Sequence, residues 1–256
     1  MAKVNIEAKV FKQIQLNSTI KMVELIAPEI ANQAEPGQFV NVRVSKQTAP
    51  LLRRPLGIAD INIPRGSITL MYRILGEATN ILADMQSGDK VGILGPLGNG
   101  FDIKAQKPLI VGGGLGLAPL LSLAKFGFGN GRADVLIAGR NEEEVGFWCD
   151  LYKPVSQNIY ITTDDGSVGT KGNVMAEFNK LVLQDYDCIY VCGPNVMMHA
   201  VVEICLKNNK KCQVSLERYM ACGLGACLGC SCESNGRRVK VCQNGPVFWA
   251  RELSEW

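Results

Sequence analysis

Histidine is nearly missing from this chain: one residue, His199, among 256. A single imidazole excludes a Rieske-type centre, which needs two histidine ligands. It also leaves no acid–base constellation for a carbon substrate in view. A large excess of charge of one sign is missing as well, with 27 Lys and Arg against 24 Asp and Glu. The net charge is +3, too small for a broad nucleic-acid or membrane-surface footprint. Long apolar runs are missing too. The most apolar stretch, PLIVGGGLGLAPLLSLA, holds four glycines and an internal proline, and it falls short of the roughly 20 residues of a spanning helix. The stretch MAKVNIEAKVFK carries a charge every few residues, so no signal peptide is expected. No repeat and no low-complexity tract interrupts the chain. A cytoplasmic protein is the expectation, and cytosolic thiols stay reduced. The ten cysteines therefore read as ligands or small buried groups rather than disulfides.

What is present suits a globular protein: 47% hydrophobic and 20% charged residues, with length for two domains and a small appendage. From Lys3 to about Ile103, runs such as VNIEAKVFKQIQL, IKMVELIA, QFVNVRV, SITLMYRIL and KVGIL have strand length and alternation. Turn signals separate them, among them Pro36-Gly37, Pro64-Arg65-Gly66 and Gly95-Pro96. With no helix of convincing length, this half predicts a small antiparallel barrel. Near Lys107 the period changes. PLIV, ADVLIAG, NIYITT and DCIYVCG read as buried strands, and NEEEVGFWCDL and GNVMAEFNKLVLQ as helix candidates between them. That alternation marks a parallel α/β domain. The last forty or so residues are rich in Cys and Gly. The expected division is residues 1–103, 104–212 and 213–256.

The spacing Cys222-x4-Cys227-x2-Cys230, with Cys242 eleven residues further on, is the plant-type [2Fe–2S] arrangement. Gly223, Gly225 and Gly229 let such a loop wrap a small anionic cluster, with backbone N–H groups turned toward sulfur. A zinc ribbon wants two C-x2-C pairs, and only Cys227/Cys230 qualifies. A glycine-rich loop with incidental thiols is the bland alternative. Cys232 reads as a bystander, and the remaining cysteines as small buried hydrophobes. The second glycine feature is Gly112-Gly113-Gly114-Leu115-Gly116-Leu117-Ala118-Pro119, between a strand and a helix. Such a turn admits a pyrophosphate close to the backbone. It departs from G-x-G-x-x-G, since Pro119 stands at the third glycine position, and a tight structural turn is its other explanation.

In this order, barrel, GGGxGxxP domain and CGxGxCxxC segment, the chain resembles the ferredoxin-NADP reductase-like flavoproteins. Within them it is most similar to the electron-transfer subunits of class 1B dihydroorotate dehydrogenases. LLRRPLGIAD, ERYMACGLGACLGC and VCQNGPVF carry the resemblance. It implies a multidomain fold: a six-stranded flavin-binding barrel, a parallel α/β nicotinamide-binding domain and a small [2Fe–2S] domain. It implies FAD held by Arg54, Pro55, Leu56 and Gly57, by Met71, Tyr72 and Arg73, and by Gly76, Ala78 and Thr79. Gly57 replaces the family's usual Ser, and Ala78 a usual Gly. It implies NAD at Gly112, Gly113, Gly114 and Gly116, with Cys192, Gly193 and Pro194 beside the nicotinamide. Asp164 and Asp165 would repel a 2′-phosphate and so favour NAD over NADP, with Arg140 pulling the other way. A flavin between a hydride carrier and a one-electron cluster converts one currency into the other. The implied partner is an FMN-containing dihydroorotate dehydrogenase subunit, two of each, and the implied role is electron transfer to NAD+ in pyrimidine biosynthesis. Two alternatives stay open: a subunit of a flavin-bifurcating transhydrogenase or hydrogenase, where one ligand is often Asp, and a zinc-binding structural protein.

Overall fold

A computed structural model describes residues 3–129, 131–254 and 256; the first two residues of the N-terminal stretch read above lie outside them. Alternation builds the first half. In β1 (Val4–Gln15), Ala8 and Val10 are buried while Glu7, Lys9 and Phe11 face solvent. The strands β2 (Ile20–Ile26), β3 (Phe39–Arg43), β4 (Arg54–Asn62), β5 (Ser67–Arg73) and β6 (Lys90–Leu97) join it in a closed antiparallel barrel of order β1-β2-β5-β4-β3-β6. Closure removes every edge. Val10, Leu25, Ile58, Leu70 and Ile93 fill the interior. A one-turn helix, α1 (Pro28–Ala31), and α2 (Glu77–Asp84) accompany the barrel. At eight residues α2 is more helix than the sequence reading expects here. Thr79 Oγ1 accepts from the N–H groups of Leu75 and Gly76 at its start, and Ala78, Leu82 and Ala83 go into the core.

The second half is a seven-stranded sheet. It comprises β7 (Pro108–Gly113), β8 (Ala133–Gly139), β9 (Ser156–Thr163), β10 (Thr170–Lys171), β11 (Cys188–Cys192) and β12 (Cys212–Ser215), all parallel. The order is β10-β9-β8-β7-β11-β12, with a last strand added beyond β12. One face carries α3 (Leu117–Ser122) and α4 (Glu142–Tyr152), with Leu120, Trp148 and Tyr152 buried. The other carries α5 (Met175–Phe178) and α6 (Asn195–Lys207), with Phe178, Val201 and Val202 buried. The candidate helix GNVMAEFNKLVLQ is thus a single turn, α5. Phe178, Leu183 and Tyr186 all reach the core, and a continuous helix would turn Leu183 away from Phe178, so the chain breaks and re-enters.

The Cys-rich end crosses both halves. After β12, residues 216–230 form neither helix nor strand. A hairpin follows, β13 (Ser231–Ser234) and β14 (Arg237–Lys240), then the single turn α7 (Val241–Asn244), then β15 (Val247–Trp249). β15 pairs antiparallel with β12 and is the last strand of the sheet. On the barrel side, Asn99 N donates to Gly245 O at 2.6 Å and Asn99 Nδ2 to Asn244 O at 2.9 Å. No helix among the described residues is long and apolar enough to cross a membrane.

Candidate functional site: two clefts and a thiol loop

The end of β7 and the end of β11 lie side by side, where the chain order of the sheet reverses, the usual place for a ligand crevice in such sheets. The glycine turn closes the gap between them. A Cβ at Gly116 would sit 2.5 Å from the carbonyl carbon and oxygen of Cys192 and from the Gly193 nitrogen, so only glycine lets the two turns touch. Gly114, at φ 56°, faces open space. Around it opens a cleft of about 980 Å³ that brings together Gly113, Gly114, Gly116, Asp164, Gly193 and Pro194. Asp165 is used elsewhere: it accepts from Ser167 N at 2.9 Å, and that bond holds its pKa below the usual carboxylate value.

A second cleft, of about 310 Å³, lies against the barrel. Its wall includes Arg54, Pro55, Leu56 and Gly57 from the start of β4, Met71, Tyr72 and Arg73 from the end of β5, and Thr79 and Cys192. Burial drives the Cys192 thiol pKa far up, helped by the Glu217 charge. Arg73, Leu75, Leu115, Glu217 and Arg218 line both clefts, so groups bound in the two would meet over a common wall. Arg73 Nη2 reaches Glu144 Oε1 of α4 at 3.4 Å, while its buried Nε has no partner among the described residues. Arg140 N and Nε donate to Glu144 Oε2 at 2.8 and 3.2 Å. Burial works to raise the Glu144 pKa. The bonds from Arg140 and the charges of Arg140 and Arg73 outweigh it and hold it below the ordinary value.

Besides Asp165 and the four thiols, three of the predicted residues line neither cleft. Gly112 lies beneath the turn, where a Cβ would overlap the Leu117 side chain. Ala78 is packed in the core, and Gly76 is the entry to α2. Three residues that the sequence reading did not assign do line clefts: Glu217, Arg218 and Tyr219, inside the ERYMAC stretch quoted for the resemblance. Glu217 is exposed through the open cleft, yet the protein crowding its carboxyl raises its pKa.

The thiol loop follows directly. Cys222 Sγ accepts from Leu224 N at 3.3 Å and Cys227 N at 3.4 Å, and Cys230 Sγ from Cys242 N at 3.4 Å. Desolvation pushes the Cys222 thiol up, but the N–H groups of Leu224, Cys227 and Ala226 and the Cys227 thiol prevail and bring its pKa to about 6. Burial, then the Cys230 thiol, push Cys242 up to about 12. The thiols thus fall into two contacting pairs, Cys222 with Cys227 and Cys230 with Cys242. Among the described residues, no three His, Cys, Asp or Glu side chains are grouped around one ion position. Two pairs fit the two irons of a [2Fe–2S] cluster; one tetrahedral zinc wants four ligands on one point. Cys232 is buried on β13 opposite Val239. Cys227, Leu224 and Leu228 are exposed, Leu228 at 62%.

Residues 217–254 match the family described as the iron–sulfur cluster binding domain of dihydroorotate dehydrogenase B. The chain is 38% identical over 227 residues to the dihydroorotate dehydrogenase B (NAD(+)) electron transfer subunit of Fusobacterium nucleatum, covering 85% of this chain and 86% of that protein. It is 38% identical over 256 residues to the subunit of the same name from Bacillus velezensis, covering 94% and 97%. A solved structure of an NADH-dependent reduced ferredoxin-NADP oxidoreductase, studied for flavin-based electron bifurcation, superposes with a TM-score of 0.86 at 27% identity, covering 96% of this chain and 89% of that one. The ferredoxin reductase of carbazole 1,9a-dioxygenase shares the fold, with a TM-score of 0.69 at 19% identity over 82% of this chain and 67% of that one.

Proposed function

The chain belongs to the family of electron transfer subunits of NAD-dependent dihydroorotate dehydrogenase B, and from that premise we infer that it carries electrons between a partner dihydroorotate dehydrogenase subunit and NAD+. The partner holds FMN and the carbon substrate; this chain uses FAD and a [2Fe–2S] cluster, in pyrimidine biosynthesis. FAD, when bound, supplies the exchange between hydride pairs and single electrons. The observation that carries the reading is the wall shared by the two clefts, next to a loop of paired thiols.

The residues divide the work. Arg54 offers a planar cation to the flavin pyrophosphate, with Pro55, Leu56 and Gly57 beside it. Tyr72, Arg73 and Thr79 line the same cleft, and the orphaned Nε of Arg73 is a donor suited to a bound flavin. Gly113, Gly114 and Gly116 leave room for a nicotinamide dinucleotide, and Gly193 and Pro194 border the ring position. Cys222, Cys227, Cys230 and Cys242 are the cluster ligands. The one histidine meets Trp256 edge to face, ring centroids 4.7 Å apart, away from this chemistry. The division at residues 104 and 213 and a cytoplasmic location complete the proposal; ten cysteines without a disulfide support the latter.

The test is the purified chain, alone and with its co-purifying partner. It is expected to hold one FAD, with iron and sulfide at about two each per chain, and its partner FMN. Zinc in place of iron, or no flavin after anaerobic reconstitution, would overturn the reading. The bifurcating alternative, kept by the 27% relative, predicts a different partner and ferredoxin-coupled NADPH chemistry.

A further inference from the structure

Asn41 is a polar side chain of the barrel that meets the thiol loop. It lies in β3 and is fully buried, and neither Nδ2 nor Oδ1 has a partner among the described residues. Strand alternation explains where it points. Val40 and Val42 fill the barrel interior. Phe39, two positions from Asn41, packs instead in the core that contains Cys230 and Cys242. Asn41 shares this outward face. The carboxamide abuts the residue after Cys222: a Cβ at Gly223, which has φ 68°, would overlap Asn41 Nδ2. The backbone of Asn41 is fixed independently. It pairs with Pro55 of the flavin-side strand and Leu94 of β6, and its carbonyl accepts from Arg53 Nη1 at 3.2 Å.

A buried amide with both atoms unpaired is a standing cost unless something absent from the chain satisfies it. Leucine of the same size would fill the position without that cost. We propose that Asn41 is a positioning residue for the iron–sulfur cluster: its Nδ2–H donates to sulfur, the Cys222 thiolate or the sulfide beside it, and so raises the cluster's reduction potential. A donor to cluster sulfur stabilises the reduced, more negative form. The placement also ties the cluster to the barrel strand next to Pro55. The proposal rests on the four thiols holding a cluster.

The experiment compares wild type and N41L, each purified with its partner. Cluster and flavin potentials are read by redox titration with electron paramagnetic resonance and visible absorption. Thermal midpoints are read with the cluster loaded and after its removal. The expected result is a lower cluster potential in N41L, unchanged flavin potentials, and a lower midpoint than wild type only in the loaded form; stripped N41L should melt at or above wild type. An unshifted potential in fully loaded N41L, or the same loss of stability with and without cluster, overturns the proposal and assigns the amide to a buried water or to packing. If N41L does not accumulate, N41S, which keeps a smaller donor, is expected to give a smaller shift in the same direction, and no shift overturns the proposal. Wild-type protein lacking iron and sulfide would instead sink the functional reading itself.

Discussion

In the nucleotide cleft the backbone sets the geometry. Gly116 rests on Cys192 and Gly193 at the ends of two adjacent parallel strands, and the strands on either side hold both turns. In the thiol loop, residues 216–230 form no helix or strand. Leu228 sits at φ 60°, a conformation that costs a side chain energy, and the contacts that organise the loop run largely through sulfur: N–H groups to Cys222, Cys242 N–H to Cys230. One site is ordered by the fold, and the other by what its thiols hold. The cleft should therefore survive loss of the cluster, and the loop should not.

The sharpest way to break this contrast is to remove a ligand. C222S, C227S, C230S and C242S are expected to abolish the cluster's absorption, because serine is a harder, poorly ionised ligand. Amide exchange should then rise across residues 219–230 and stay unchanged in β7 and β11. C232S should keep the full spectrum. A coloured C222S beside a bleached C232S would reverse the ligand assignment.

The converse change attacks the cleft. G116A places a methyl group against the backbone of β11, which cannot step aside, so the fold should lose about 1–3 kcal/mol of stability, the usual cost of overpacking. Binding of the dinucleotide should weaken while iron content stays at wild-type level, as measured by chemical unfolding, by titration with NADH and by iron assay. Loss of both sites together would show that the cleft and the loop are one cooperative unit.

How far these sites could be read from sequence follows the range of the interactions. The barrel strands announced themselves through alternation, and the thiol loop and the glycine turn through spacing. β4 was harder, because RPLGIADIN carries a proline and a glycine and reads as a ligand segment before it reads as a strand. The single turn α5 looked longer because the pull of Leu183 and Tyr186 toward the core is tertiary. Nothing local marked Asn41, Glu217 or the return of β15 to the sheet: each acquires its meaning from a residue more than twenty positions away, such as Gly223, Cys192 at the strand end, or β12 across the hairpin. Gly112 and Ala78 are the opposite case, motif positions that the fold places in packing, against Leu117 and in the core.

A smaller effect is expected at the loop's surface. Leu224 and Leu228 are 43% and 62% exposed beside the thiols, apolar surface of the kind an interface core uses. L228D should weaken association with the FMN subunit and slow dihydroorotate-dependent NAD+ reduction. NADH-driven dye reduction, which bypasses the cluster, should stay near wild type. Co-purification ratios and the two activities read this out, and equal losses in an assembled complex would place the interface elsewhere.

The smallest expected effect lies at the rim of the cleft, in the choice between NAD and NADP. Arg140 is the nearby cation that could meet a 2′-phosphate, and its side chain is 74% exposed, yet Glu144 holds it at Nε and at its backbone N–H. Asp164 adds a carboxylate to the same cleft. Wild type should therefore prefer NADH. E144Q should free Arg140 and raise NADPH use relative to NADH by up to about fivefold, since exposed ion pairs are worth roughly 0.2–1 kcal/mol. The same carboxylate joins α4 to Arg73 of the barrel, which gives a pH signature. Its pKa lies below the ordinary value, so the pairing contributes its stability above the ordinary carboxylate pKa and loses it as pH falls through the lowered one. The stability gap between wild type and E144Q should be widest near neutrality and close toward acid. A gap independent of pH would mean that Glu144 acts through packing, and an unchanged cofactor ratio would leave Asp164 as the residue that sets the preference.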